Sequence, residues 1–270
     1  SDGAVDLNGY LVSGGEVTIV HNAAGQTIGQ DLARHDGTST LSINTPGQIK
    51  VGREVYAGRT LTLNAGQAVA LDGGDFSDIG IVVTGSGTLR TGASGSSITL
   101  LSDSGIRTLA AAGPDAAAYA IYAPGNHSTV TLQSASLSSG PEIRIDSAIF
   151  AAGNIITQSS SATSPMTSTV VSASGKLESL AGNITIGSAE LISVSGMLLA
   201  GRGTITVTST ANTTLASTSR IDSSTAISLT TGADLLIDGT IGTQIAPQEL
   251  TLIAATGKIS VAAATGRLHS

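Results

Sequence analysis

The sequence contains no cysteine and no tryptophan, and its aromatic residues are limited to four Tyr and two Phe among 270 residues. Without cysteine, neither a disulfide framework nor a thiolate metal site can form. Globular cores usually depend on aromatic side chains for much of their buried area. A core made mainly of Val, Ile, Leu and Ala is instead typical of thin, repeated layers, so the composition favours a repetitive structure.

Charged residues are also scarce, at 11% of the chain, and the net charge is −7. Duplex nucleic acid requires a basic stripe on its partner, so no nucleic-acid partner is predicted. No apolar run approaches the ~18 residues of a membrane span, so the chain is predicted not to span a membrane. The first four residues lack the basic and apolar regions of a signal peptide, and we interpret the chain as a piece of a longer protein.

What the sequence does contain is alternation of period two, the pattern of β-strands. Twelve triplets place a central residue between two apolar residues, and Thr or Ser is that central residue in ten of them. The triplets begin at residues 17, 41, 61, 81, 98, 130, 143, 184, 205, 227, 250 and 259. The chain is therefore predicted to be all-β.

The spacing of these triplets predicts the architecture. Steps near 20 residues between short strands are typical of a solenoid, so residues 1–270 are predicted to form a single parallel β-helix of about twelve coils, each of roughly 20–23 residues. A sandwich of antiparallel hairpins remains an alternative, since turn signals also occur about every 8–12 residues. Several glycines precede triplets and are expected to supply permissive dihedrals at the bends: Gly15, Gly80, Gly95, Gly182, Gly203 and Gly257.

Two stretches interrupt the repeat. Residues 101–128 are predicted to form an irregular excursion, and the alanine-rich part between Thr108 and Tyr119 could hold a short helix. Residues 157–169 have the composition of a loop. Because repeats supply the scaffold and insertions decorate it, these stretches are the expected places for function.

The coil units of residues 181–187, 201–207 and 232–241 resemble the repetitive shaft of filamentous-haemagglutinin-type exoproteins of two-partner secretion systems. In that family a glycine bend precedes an alternating strand. The resemblance is clearest from about residue 175 onwards, and it implies a right-handed β-helix, export through an outer-membrane secretion partner, and a role in adhesion, biofilm formation or virulence. The family's secretion domain carries Asn-Pro-Asn motifs, which this chain lacks, so the resemblance is to an interior segment.

The expected function is therefore a structural shaft, with adhesive loops, in a secreted or cell-surface bacterial exoprotein, and not an enzyme. The expected partner is a glycan or protein on a host or bacterial surface. An alternative is a receptor- or glycan-binding module that uses the 101–128 excursion. The candidate ligand-binding residues are Tyr119, Tyr122, Asn126 and His127, because sugar-binding surfaces usually offer aromatic faces. Tyr56 beside Arg53, Glu54 and Arg59 could also serve as a stacking platform for a glycan, but an outward-facing ion pair is the favoured interpretation of that segment.

No cofactor is predicted, although one loop invites a calcium interpretation. Asp72, Asp75 and Asp78 place three carboxylates in seven residues, as a flexible Ca²⁺ loop requires. The loop matches neither the helix-loop-helix pattern nor the calcium-binding β-roll repeat. A solvated turn is the favoured interpretation.

The enzyme alternative is a polysaccharide lyase or hydrolase on a β-helix. Such a site needs carboxylates, usually with a basic partner, converging on one face. Asp222 and Asp238 are separated by less than one repeat and share no repeating basic partner. The four histidines show no ligand spacing, and a surface loop accounts for His35 beside Asp36 as well as acid–base chemistry does.

Overall fold

The structure, a computed structural model, describes residues 5–6, 17–20, 25–28, 32–33, 38–66, 79–111, 118–134, 143–159, 168–242, 247–262 and 266–269. These residues contain 31 β-strands and no helix. All strand pairs are parallel and fall into three sheets of eleven, ten and ten strands, which we call A, B and C. The predicted parallel β-helix is confirmed, and the antiparallel sandwich is excluded for the described residues.

The strands of the first half of the chain are short and follow one another around the coil. They are β1 Val5–Asp6, β2 Val17–Val20, β3 Gly25–Ile28, β4 Leu32–Ala33, β5 Thr40–Thr45, β6 Gln48–Val51, β7 Glu54–Ala57, β8 Thr60–Ala65, β9 Ile81–Val83, β10 Thr88–Thr91, β11 Ser97–Ser102, β12 Ile106–Thr108, β13 Ile121–Ala123, β14 Thr129–Ser134, β15 Ile143–Ile145 and β16 Ala148–Ala151.

The second half continues the same pattern. Its strands are β17 Asn154–Ser159, β18 Ser168–Val171, β19 Lys176–Ser179, β20 Ile184–Ser188, β21 Leu191–Val194, β22 Met197–Ala200, β23 Ile205–Ser209, β24 Thr213–Leu215, β25 Arg220–Ser223, β26 Ala226–Thr231, β27 Leu235–Ile237, β28 Thr240–Ile241, β29 Glu249–Ala254, β30 Ile259–Val261 and β31 Arg267–Leu268. Each coil contributes a strand to sheet B, then to sheet A, then to sheet C.

The core is a set of apolar columns inside the coil. Along β8 the side chains alternate between partly or fully exposed and buried, and the inward Leu61 and Leu63 are fully buried. Their register partners in the next strand of sheet B are Ile98 and Leu100, which are also fully buried. Burying each such side chain contributes about 1.5–3 kcal/mol before entropy is counted. The many Val, Ile and Leu residues of the sequence are therefore accounted for by these buried columns.

Sheet B has ten strands, fewer than the twelve coils that the triplets predict. Three of the triplets, those at 81, 143 and 259, lie in sheet A and belong to coils that already have a strand in sheet B. One coil contributes β17 to sheet B without a matching triplet. The number of coils is therefore about ten, and the rod they form spans about 45 Å at a spacing of ~4.8 Å per coil.

Coil length varies more than the sequence pattern suggests. In sheet B, the register partners Ile184, Ile205 and Ile227 follow one another at nearly constant intervals of sequence. Earlier in the chain the partners Leu61 and Ile98 enclose a much longer stretch, and so do Ile98 and Val130. The extra residues lie in the connections between strands, while the strands themselves stay in register.

The long connections concentrate at one corner. Residues 66–80, 135–142 and 160–167 each join a strand of sheet B to the next strand of sheet A. Residues 109–120 join sheet A to sheet C. The predicted excursion at 101–128 therefore includes strand residues in all three sheets. Of the alanine-rich segment, residues 108–111 and 118–119 are not helical, and residues 112–117 lie outside the described part.

Glycine is needed at the corners mainly because neighbouring coils approach closely. A Cβ at Gly203 would collide with the backbone of Gly182 one coil earlier, and a Cβ at Gly182 would collide with Gly153. Neither glycine has a positive φ, so the expectation of permissive dihedrals is wrong for this pair. It holds for Gly95, whose φ is 68° and whose missing Cβ would meet no atom within 4 Å.

Candidate functional site

The outward positions of sheet C carry a line of large side chains on four successive coils. Tyr56 pairs with Arg90, Arg90 with Tyr122, and Tyr122 with Phe150, all through parallel register. Each lies between inward-facing residues that are fully buried, as in Ile121-Tyr122-Ala123. Because alternate residues of a strand point to opposite faces, this line lies on the outside of the rod. We call these four residues, together with Tyr119, the aromatic column.

The rings of the column contact one another. Tyr119 lies just before β13 and stacks on Tyr122, with ring centroids 5.1 Å apart and an interplanar angle of 29°. Phe150 lies 5.3 Å from Tyr122 and 5.9 Å from Tyr119, with tilted rings. Such offset and tilted pairs contribute about 0.5–1.5 kcal/mol each beyond the area they bury. All three side chains are partly exposed, so the cluster forms an apolar surface that solvent still reaches.

Arg90 lies between two tyrosines in this line. Its guanidinium carbon is 5.8 Å from the ring centroid of Tyr56 and 5.7 Å from that of Tyr122. Both distances are within the range of cation–π attraction. Its Nη1 also lies 4.0 Å from a carboxylate oxygen of Glu54, and both side chains are nearly half exposed. An exposed pair of this kind contributes little to stability, so its charges remain accessible to a ligand.

The other end of the column also meets an ion pair. Glu178 is the register partner of Phe150 on the following coil. Its carboxylate lies 2.6 Å from Nζ of Lys176, which precedes it on the same face of the strand. The three contacting rings, those of Tyr119, Tyr122 and Phe150, thus lie between two ion pairs along the rod axis: Glu54 with Arg90 and Lys176 with Glu178. Each pair is neutral overall and offers both hydrogen-bond donors and acceptors.

The aromatic column gathers most of the chain's aromatic residues. The whole sequence has six, and four of them, Tyr56, Tyr119, Tyr122 and Phe150, belong to the column. The remaining two, Tyr10 and Phe76, lie outside the described residues. Every aromatic residue in the described ranges therefore lies on a single outer face.

The four candidate ligand residues are divided between two places. Tyr119 and Tyr122 belong to the column, whereas Asn126 and His127 lie in the bend between sheets C and B. There the carbonyl oxygen of Asn126 accepts hydrogen bonds from the backbone N–H of Gly95, at 2.7 Å, and from Ser94 Oγ, at 3.1 Å. His127 is exposed with a φ of 58°, in the left-handed region. These two residues shape a corner of the coil.

Sequence reasoning misses Arg90 and Phe150 as members of the site. It places Tyr56 beside Arg53 and Arg59, which are exposed at bends, while the arginine that stacks on it comes from the next coil. A signal does exist in the sequence. The segments 55–57, 121–123 and 149–151 share an apolar–aromatic–alanine order, which marks equivalent strands.

The carboxylate loop considered for Ca²⁺, Asp72, Asp75 and Asp78, lies outside the described residues, as do His21 and His35. Among the residues that are described, no group of three or more His, Asp or Glu side chains is arranged to hold a metal ion.

Two buried carboxylates are held by arginines. Asp146 binds Arg144 at 2.9 Å and Arg107 at 3.4 Å, and Asp222 binds Arg220. Both arrangements place Arg and Asp at alternate positions of one segment, in the repeated order Arg-Ile-Asp-Ser. Asp222 is fully buried, so its carboxylate is committed to this ion pair and does not face an open groove.

No protein-family model matches the chain, and neither a curated protein nor a solved structure matches it. In the described part of the chain, no helix is long and apolar enough to cross a membrane. The fold and the geometry of the outer faces are therefore the basis for a functional assignment.

Proposed function

We propose that this chain is a shaft segment of a secreted or surface-displayed bacterial exoprotein, with an adhesive surface on one outer face. The observation that carries the proposal is the unbroken register of three parallel sheets along the chain. Such a solenoid extends in one dimension because each coil contacts only its neighbours. A rod of this kind acts as a spacer: it separates a domain attached at one end from the anchor at the other end.

The filamentous-haemagglutinin-type family remains the proposed relationship, on the strength of the coil units alone. The glycine bends of residues 182 and 203 each precede a strand of sheet B, as the resemblance implies. Together with this relationship we propose export through an outer-membrane partner, adhesion and a part in virulence. The concentration of long connections at one corner supports the adhesive part, since insertions on one edge of a repeat are the usual binding elements.

A distance measurement tests the rod. Thr62 and Thr251 occupy the same outward column of sheet B, seven register steps apart. At ~4.8 Å per step their Cα atoms should be about 34 Å apart. Because the chain has no native cysteine, the pair Thr62→Cys and Thr251→Cys can be spin-labelled without interference. The pair Thr185→Cys and Thr206→Cys, one step apart, is the matched short-distance control.

Deleting one coil tests whether the segment acts as a spacer. Residues 184–204 hold β20, β21 and β22, a complete coil, and their removal joins Asn183 to Ile205, the register partner of Ile184. A shaft should stay folded and the long spin-label distance should shorten by about 5 Å. Loss of folding, or an unchanged distance, would contradict the proposal.

A further inference from the structure

The aromatic column lies where the fold does not require it. Its side chains point away from the core, and the inward residues on the same strands, such as Leu89 and Ile121, already complete the apolar columns. The same outward line continues on the next two coils with Glu178 and Leu199, which are not aromatic. A solenoid of this composition can therefore form without aromatic residues on this face, and their concentration there calls for another explanation.

We propose that the aromatic column binds a neutral oligosaccharide that lies along the rod axis. This inference rests on the adhesive part of the proposed function and names the ligand class and its site. The apolar C–H face of a pyranose ring packs on aromatic rings, while its hydroxyl groups need donors and acceptors at the edges. The column offers the rings of Tyr119, Tyr122 and Phe150 and polar groups at both ends.

Charge decides between a neutral and an acidic saccharide. Arg90 and Lys176 would attract a carboxylate or sulfate, but each has an acidic neighbour, Glu54 and Glu178 respectively. An acidic chain lying along the column would therefore meet two carboxylates at its ends. A neutral sugar instead accepts hydrogen bonds from the cations and donates hydrogen bonds to the carboxylates, so it uses all four groups.

The length of the column limits the size of the ligand. Arg90 and Glu178 are separated by three register steps, through Tyr122 and Phe150. At ~4.8 Å per step this distance is about 14 Å, which suits about three sugar rings. Affinity should therefore rise as an oligosaccharide lengthens to about three units and then stop rising.

The experiment is a binding titration of the purified full chain with neutral gluco-, galacto- and manno-oligosaccharides of one to six units. Sialylated and uronic-acid oligosaccharides form the acidic comparison. Because the chain has no Trp and three of its four Tyr residues lie in the column, tyrosine fluorescence reports binding at this site directly. We expect saturable binding of at least one neutral series, with the plateau at about three units.

Two variants and a control locate the site. Tyr122→Ala removes the central ring and should weaken binding about tenfold. Arg90→Gln keeps most of the side-chain bulk and should weaken binding about fivefold even if the alanine variant fails to fold. Val170→Ala shortens a partly exposed outward residue of sheet A and should leave the affinity unchanged.

The possible outcomes distinguish failure of the proposed binding site from failure of the proposed shaft function. Exclusive binding of acidic oligosaccharides, or binding that survives both column variants, would overturn the proposed ligand or the proposed site. An absence of binding by a chain that shows the expected label distance of about 34 Å would overturn this inference and leave the shaft proposal standing. A chain without that distance would instead contradict the proposed function.

Discussion

The coils from residue 184 to residue 242 and those from residue 60 to residue 171 are built differently on the same core. In the first group the register partners of sheet B recur at nearly constant intervals, and the connections are short. In the second group the intervals are longer and unequal. Nevertheless, Leu63, Leu100 and Leu132 stack in unbroken register. The inward columns, and not a constant coil length, therefore determine how the coils stack.

The two groups also differ in what links their coils outside the core. In the first group, which we call the regular coils, side-chain oxygens at the corners accept hydrogen bonds from backbone N–H groups of the next coil. Asn183 Oδ1 accepts from Thr204 N–H, and Asn212 Oδ1 accepts from Asp234 N–H, each at 2.9 Å. Among the decorated coils, those of the second group, Asn154 Oδ1 makes the same kind of contact, accepting from Asn183 N–H at 2.9 Å, and the aromatic column additionally spans successive coils. The decorated coils thus have both longer connections and an additional side-chain contact between coils on the outer face.

The largest expected effect tests whether both groups belong to one core. Leu132→Ala in the decorated group and Leu229→Ala in the regular group each remove a fully buried side chain from sheet B. Each should lower the free energy of unfolding by about 2–5 kcal/mol. Urea unfolding followed by circular dichroism is the measurement. A single transition that shifts equally in both variants would indicate one cooperative unit, whereas two transitions would separate the groups.

A smaller loss of stability is expected where neighbouring regular coils approach closely, at the corner that holds Gly182 and Gly203. Gly203→Ala places a Cβ against the carbonyl oxygen of Gly182 and should cost about 1–3 kcal/mol, because backbone must move to accommodate it. Gly187→Ala is the matched control, since its Cβ would lie 3.7 Å from the nearest oxygen, an ordinary contact. Thermal unfolding of the two variants should differ clearly. Equal melting temperatures would show that the corner has room for a side chain.

The smallest effect has the opposite sign. Thr157 lies inside the decorated group, in register between Leu132 and Ile186, and its buried hydroxyl has no hydrogen-bond partner among the described residues. Thr157→Val replaces that hydroxyl with a methyl group of similar size. The variant should be more stable by about 1 kcal/mol, because the unpaired group no longer has to be desolvated.

Thr99→Val is the matched control for this substitution, since Thr99 is a partly exposed outward residue of the same sheet. Its unfolding midpoint in urea should change by less than that of Thr157→Val. A destabilised Thr157→Val variant would indicate that the hydroxyl has a partner after all.

The fold can be predicted from the sequence because its signals are local. Alternating triplets such as Ile205-Thr206-Val207 identify strands, and their nearly constant spacing in the last third of the chain identifies coils. The triplets overestimate the number of coils because those of sheets A and B look alike. Ile259-Ser260-Val261 of sheet A, for example, has the same apolar–hydroxyl–apolar order as the triplets of sheet B.

The candidate site can be predicted only in part, because it depends on register between coils of unequal length. Tyr119 and Tyr122 are near neighbours in sequence, so they are identified together. Arg90 and Phe150 reach the column from the coils before and after Tyr122, across sequence separations that no fixed repeat predicts. Asn126 is grouped with Tyr122 because the two are near in sequence, but its backbone carbonyl binds Gly95 in the bend between sheets C and B, away from the column.

The short rise of each coil has a mechanical consequence. A regular coil advances the rod by ~4.8 Å, yet its residues drawn out as an extended chain would span about 70–80 Å. A pulling force that peels coils from one end would therefore lengthen each released coil about fifteenfold. The longer stretch between Leu61 and Ile98 would yield a longer step, about 120–130 Å. The unequal coils would thus appear as unequal steps in a force–extension trace.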